Sequence, residues 1–360
     1  MRFKKGLKSF VFYVCKTLII SLLVNFNKPR INNDLKIQVE AEAYVCKMTW
    51  RVFILIVVCA VQCAKEPLPS PEPSAYFINN FVFDSLRVAR HFNEIPILSD
   101  SIISISESSG AVASNSFDGC FWTINDSGNE PALFLFEGVS GRLVSTLSIP
   151  SIRNTDWESM DIYQDVQGHN KIIIADIGDN LQIRSTVKAY EFLEPDTSTV
   201  DTSMAFNVIT PNIDSIEFTY SEGPKDVEAF FIDPVDRAWY FISKRESKNG
   251  LYQLIPNTDP AVDTAQLVGR LSMYLVTGAD CKTFGADSAH IALRNYERVL
   301  LWPRHRSASV IQTMAEEPLL IRYGERETQG EAVWFWPNGD IGTCSELNGA
   351  QPKIRRYLRQ

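Results

Sequence analysis

The sequence predicts an all-β fold, a β-propeller, and three observations lead there. No sustained helical periodicity appears after residue 65. Short apolar, β-branched and aromatic runs recur instead, parted by turn pairs such as Asp118-Gly119, Asp233-Pro234 and Asn338-Gly339. Acids recur at the starts of those runs with a nearly fixed spacing. The lead acids are Glu107, Glu158, Glu228, Asp280 and Glu331, separated by 51, 70, 52 and 51 residues. A period near fifty in a strand-rich chain marks a propeller. Five blades of four-stranded antiparallel sheet account for it; four or six blades fit as well, because outer strands are weakly marked. The long spacing places an insertion in one blade, within 181–224.

The chain opens on a different composition. Residues 1–63 hold ten Lys/Arg and three Asp/Glu, with apolar runs at Phe10–Val24 and Val52–Val61. The second run follows Met48-Thr49-Trp50-Arg51 and has the length and flanks of a secretory signal. Either Met1 or Met48 is then the true start. Secretion is the expectation, with a membrane anchor in the N-terminal segment as the alternative; each run is shorter than the roughly twenty residues that span comfortably. Residues 64–76 are rich in Pro and read as a linker. The propeller domain is expected over 77–360, with 77–99 supplying a strand that closes the ring against the last blade.

Blade one spans about 101–149 and includes Cys120-Phe121-Trp122-Thr123-Ile124, ending in Asn125-Asp126-Ser127-Gly128. Blade two opens on a hairpin, Asn154 to Asn180. Its first strand starts at Asp156 and its second, through Ile172-Ile173-Ile174, ends in Asp176-Ile177-Gly178-Asp179-Asn180. In an antiparallel pair these two ends are neighbours, so four carboxylates and an amide gather at one end of one hairpin. Like charges that close are costly unless a cation or strong donors compensate. Blade three runs from Asp226 through Trp239-Tyr240-Phe241-Ile242, blade four from Thr277 through Ile291-Ala292-Leu293-Arg294, and blade five from Glu331 through Ile341 to Glu346. Trp122, Trp157, Trp239, Trp334 and Trp336 are expected as packing between blades.

In a propeller the first strand of each blade lines the central channel. Its start and the end of the second strand share one face of the disc. That face is expected to carry Glu107, Asp126, Asp156, Glu158, Asp176, Asp179, Asp226, Glu228, Asp280, Glu331 and Glu346, opposed by Lys244 and Arg294. Such a mouth suits Ca²⁺, which takes six to eight oxygens at flexible geometry. Glu107, Asp126, Asp176, Asp179, Glu228, Asp280 and Glu331 are the candidate metal ligands. The competing reading is structural: acids at strand starts bond to N–H groups of the next blade and fix its register. A transition metal is disfavoured, since the four His are unpaired in sequence.

Charge and cysteine usage narrow the partners. The chain carries a formal net charge of −8. With a basic leader, the body is more acidic still, which argues against nucleic acid. Cys120, Cys281 and Cys344 remain in the body, and a secreted protein tends to pair two of them. Cys281–Cys344 is the expected disulfide. No nucleophile elbow, Walker A loop or dinucleotide fingerprint is present.

The segments Asn125-Asp126-Ser127-Gly128-Asn129, Asp156-Trp157-Glu158, Asp176-Ile177-Gly178-Asp179-Asn180, Asp226-Val227-Glu228-Ala229, Thr277-Gly278-Ala279-Asp280 and Gln329-Gly330-Glu331-Ala332 fall in order over about 101–357. On these the chain resembles a family of secreted, bacterial-type propeller proteins of uncharacterised function. The resemblance implies the fold more than an activity. A more distant one is to Ca²⁺-dependent propeller hydrolases such as apyrase and esterase-like phytase, which place acids at inner-strand starts around a channel metal.

Three functions follow as expectations. The first is a cation-stabilised binding module for a protein or carbohydrate. The second is a Ca²⁺-dependent hydrolase of phosphate esters or nucleotides. There Lys244 and Arg294 hold the phosphate of a phosphorylated small molecule, and Asp156 or Glu158 activates water. The third is a glycosidase using two mouth carboxylates.

Overall fold

The computed structural model describes residues 76–101, 105–256, 262–322, 327–347 and 352–360. The expected leader, and all but the last residue of the expected linker, lie outside the described residues.

The chain first forms β1 (Phe77–Asn79), a 3-10 turn at Phe83–Ser85, and β2 (Ile97–Ser101). A first sheet follows from β3 (Ser108–Ala113), β4 (Cys120–Asn125), β5 (Ala132–Glu137) and β6 (Leu143–Ser148), each antiparallel to the next. The second sheet holds β7 (Trp157–Gln164), β8 (Asn170–Asp176) and β9 (Val187–Leu193). The insertion then departs. β10 (Phe206–Val208) pairs parallel with β6 of the first sheet, before β11 (Asp214–Tyr220) returns to pair with β9.

β12 (Val227–Ile232), β13 (Trp239–Ser243), β14 (Asn249–Leu254) and β15 (Asp263–Leu271) form a third unit, which β11 joins to the second by pairing parallel with β15, so that the two make one hydrogen-bonded sheet. The fourth is β16 (Val276–Phe284), β17 (Ser288–Asn295), β18 (Val299–His305) and β19 (Leu319–Ile321). A short helix, α1 (Val310–Met314), bridges its last two strands and is capped by Ser309 and Gln312 in a reciprocal box. The last sheet is β20 (Gly330–Phe335), β21 (Ile341–Ser345) and β22 (Lys353–Tyr357), completed by β2. The N-terminal closing strand is therefore Ile97–Ser101. The earlier apolar stretch gives β1, which pairs parallel with β15 instead.

The fold is all-β apart from these short turns. The innermost strands β3, β7, β12, β16 and β20 each pack on the next, and β20 packs back on β3, so the ring closes. Apolar clusters fill the gaps between neighbouring sheets. Trp122 and Trp157 sit between the first and second sheets, Trp239 between the second and third, and Trp334 and Trp336 between the last and the first. All are buried, as packing residues should be. Each such side chain contributes roughly 1.5–3 kcal/mol of transfer free energy.

The cysteine expectation is corrected. Cys120, Cys281 and Cys344 are all free thiols. Cys281 packs among Ala279, Ile291 and Trp302 between the third and fourth sheets, whereas Cys344 packs with Trp334 between the last sheet and the first. The Cys344 thiol lies 3.0 Å from Ser108 Oγ.

Candidate functional site

One local device recurs at the entry to every innermost strand. The register against the second strand slips between Ser108 and Gly110, Trp157 and Ser159, Val227 and Ala229, Val276 and Gly278, and Gly330 and Ala332. Each slip is a β-bulge, with one extra residue on the inner strand. The bulged residues are Ser109, Glu158, Glu228, Thr277 and Glu331. Two positions earlier stand Glu107, Asp156, Asp226, Leu275 and Gln329. The ring thus has two tiers of equivalent positions, and the lead acids draw from both. Glu107 belongs to the outer tier, and Asp280 to neither.

Asp280 is a corrected candidate. It lies three residues past its bulge, and its Oδ2 accepts the Phe335 N–H of the next inner strand at 2.6 Å. Asp161 of β7 does the same for Ile232 of β12, also at 2.6 Å. Both are buried carboxylates that lock neighbouring sheets in register. Burial, and then the charge of Asp280, push the Asp161 carboxyl well up. Burial pushes Asp280 up to about 6, against the pull of Lys282.

Arg294 is corrected too. Its guanidinium is fully buried, donates to the Ala332 and Cys344 carbonyls at 3.1 and 3.3 Å, and pairs with Glu327 at 2.9 Å. It holds the fourth sheet to the fifth and presents no charge to a ligand. Asp176 and Asp179 are likewise consumed by the β8–β9 turn. Asp176 takes Arg184 at 2.8 Å and the Thr155 N–H at 3.1 Å, and Asp179 takes the Arg184 N–H at 2.7 Å. Glu107 is exposed at the rim and accepts from the Asn129 amide at 2.7 Å.

The remaining acids converge. Asp126, Asp156 and Glu158 each offer a carboxylate oxygen within 4.8 Å of the other two. Asn154 sets this geometry. Its amide donates to the carbonyls of Asn125 and Asp126 at 3.0 and 2.8 Å, while its carbonyl accepts the Trp157 N–H at 3.1 Å. The loop after β4 is thereby pinned to the start of β7. Gly178 completes the cradle. A Cβ there would come within 2.6 Å of Asp156 Oδ2 and collide with Glu158 Oε1. Only a residue without a side chain lets these two carboxylates lie this close to the main chain.

The electrostatics fit a gap in compensation. Burial, then the charge of Asp126, push Asp156 up to about 6. Burial, then Glu228, Asp126 and Asp156, push Glu158 well above the carboxylate range. No hydrogen bond or ion pair reaches the Glu158 carboxylate among the described residues, although only 5% of the residue is exposed. Glu228 differs, because Lys244 pairs with it directly. Burial still lifts Glu228 to about 8. Burial works to lower Lys244, but Glu228 and Glu331 outweigh it and the ammonium is retained. The Lys244 Nζ also lies 4.9 Å from the Tyr296 ring. Glu331 is buried beside this group and, like Glu158, has no hydrogen-bond donor among the described residues.

The donor set is all oxygen, which suits a hard cation such as Ca²⁺. Asp126, Asp156 and Glu158 stand close enough to share one ion, the last two having been expected as catalytic groups; Glu107, Asp176, Asp179, Glu228, Asp280 and Glu331 do not join the cluster. Lys244 sits at the mouth, but as the counter-ion of Glu228. The sequence reading missed Asn154, Gly178 and the Ser109 and Thr277 bulges. The two bulge residues carry no acid, so a search by charge passes over them.

Solved structures similar to the chain are β-propeller proteins. A glucose dehydrogenase is 10% identical with a TM-score of 0.43, covering 72% of this chain and 99% of its own. An α-L-arabinanase of Penicillium chrysogenum, solved with arabinobiose, is 10% identical with a TM-score of 0.39, covering 74% and 97%. The Dos1 propeller is 11% identical with a TM-score of 0.31, covering 69% and 67%. At these scores they bear on neither ligand nor activity. No family profile matches the chain and no curated relative does.

Proposed function

We propose that this protein is a five-bladed propeller whose acidic mouth binds a divalent cation, Ca²⁺, through Asp126, Asp156 and Glu158. It acts as a recognition module for a protein or carbohydrate at that face. The observation that carries this is Glu158: a largely buried carboxylate that no donor of the described residues reaches, with two acids beside it and Gly178 packed against it. An ion there offsets the burial and the mutual repulsion that raise Asp156 and Glu158. It also leaves coordination positions for ligand hydroxyls or carbonyls. Phosphate-ester hydrolysis is the weaker reading, because Arg294 is committed elsewhere and Lys244 is neutralised by Glu228.

Thermal unfolding with Ca²⁺ and with chelator tests the proposal. A ligand that binds only the folded state at 100 times its Kd adds about 2.7 kcal/mol of stability. The wild type should melt higher with Ca²⁺, and Asp126→Asn and Glu158→Gln should abolish the difference. Equal midpoints for the wild type under both conditions would discard the ion.

Secretion belongs to the same proposal and rests on the N-terminal sequence. Among the described residues no helix is long and apolar enough to cross a membrane. N-terminal sequencing of protein recovered from the medium tests it; retention of residues 48–63 would count against a cleaved signal.

A further inference from the structure

The insertion of the second sheet builds a second surface, remote in sequence from the mouth ligands. β10 is the outermost strand of its sheet. Thr146 N–H donates to Ala205 O, and Ile209 N–H to Ser148 O, both at 2.9 Å. Successive main-chain groups along an edge strand face opposite sides. Phe206 and Val208 therefore turn their N–H and C=O groups away from β6. Their side chains are also uncovered, at 55% and 61% exposure. Val208 opens onto a crevice of about 720 Å³ shared with Leu193, Pro195, Pro211 and Asp196; its far side holds Lys171, paired with Glu191 at 3.1 Å, and His169, 3.3 Å from Asp165.

Natural sheets blunt such edges by keeping the strand short or with Lys, Pro or an inward charge. β10 is three residues long and carries neither Lys, Pro nor a charge. From 189 to 224 there is no Lys or Arg, against seven Asp/Glu. Asp196 and Asp201 lead into β10. Ser198 donates to Asp196 through its hydroxyl and N–H, and Ser203 does so for Asp201, which holds both carboxylates ionised.

We infer that β10 is a docking edge for an extended, cationic segment of another protein. The segment adds a strand beside Phe206 and Val208. Its apolar side chains lie against Leu193, Phe206 and Val208, and its Lys or Arg residues meet Asp196 and Asp201. A second copy of this chain is the poorer occupant, because pairing would bring two acid-only segments together.

The test is fluorescence anisotropy of the full chain with a labelled octapeptide alternating Val and Lys, beside a Val/Glu peptide. The Val/Lys peptide should bind, less tightly as salt rises, and the Val/Glu peptide should not. Phe206→Pro removes an N–H that β6 does not use, so the strand stays in place. It should weaken binding by about tenfold or more, since main-chain bonds supply the affinity in strand addition. Asp196→Asn with Asp201→Asn, both on the surface, should weaken binding and flatten its salt dependence. Equal binding of the two peptides, or full affinity in Phe206→Pro, overturns the inference. So does a dimer in sedimentation that Phe206→Pro dissolves while neither peptide binds.

Discussion

Arg294 Nη2 stands 2.9 Å from Glu327 Oε2, and neither side chain touches solvent. Glu327 also takes Arg355 and the Thr343 hydroxyl through its other oxygen, at 2.9 and 3.0 Å. One buried carboxylate thus ties β17, β21 and β22 together. Removing Arg294 leaves Glu327 only Arg355 and Thr343 and takes a donor from the buried Ala332 and Cys344 carbonyls. Arg294→Ala should cost about 3–5 kcal/mol in denaturant unfolding. A loss under about 1 kcal/mol would mean that water reaches the pair.

Asp161 and Asp280 make a second, subtler prediction. Asp161→Ala leaves the buried Ile232 N–H without an acceptor, which costs about 1–3 kcal/mol. Asp161→Asn keeps an acceptor and removes the charge that faces Asp280. The Asn variant should therefore be clearly more stable than the Ala variant in the same melt. The reverse order would show that the charge itself is what holds β12.

Gly178→Ala tests the cradle without altering a ligand. The methyl group enters the space before Asp156 and Glu158. The Ca²⁺-dependent rise in melting temperature should vanish, and the melt in chelator should fall as well, because the methyl group meets the buried Glu158 carboxylate. Retention of the full rise would move the ion elsewhere in the mouth.

His290 predicts an acid dependence. Burial, then Arg359 and His91, push its imidazole down to about 4. The unfolded chain therefore takes up this proton first as pH falls. The contribution of His290 is fully present above about pH 6.5 and is lost progressively toward pH 4, about 3 kcal/mol at the limit. Asp156 and Asp280 act in the opposite sense over an overlapping range, because their folded-state values are raised to about 6. Comparing His290→Asn with wild type isolates the imidazole. The stability gap between the two should change between pH 6.5 and 4, and a constant gap would refute the assignment.

Much of the architecture was legible from alternation, turn pairs and the recurring acids. The Asp156-to-Asp176 hairpin stands where its Ile run and turn residues put it. Charge alone could not separate the roles of those acids. Asp280 and Glu331 look alike in sequence, yet one bonds to a neighbouring strand and the other faces the mouth. Both strands carry the bulge, but Glu331 is the bulged residue while Asp280 stands three residues past its own, and that offset leaves no compositional trace. Arg294 misled for a similar reason. Its partner Glu327 lies 33 residues away in a loop, with no periodicity to link them.

The last sheet draws its outer strand from the opposite end of the chain. Ser99 Oγ accepts the Ile354 N–H across 255 residues. During synthesis β2 emerges long before the edge it will occupy. At ordinary ribosomal speeds that wait is on the order of ten to fifty seconds. Until then the ring stays open and Ile97 and Leu98 have no ladder to join. Sheets one to four can assemble as they leave the ribosome, but the latch shuts only after translation of the final strand.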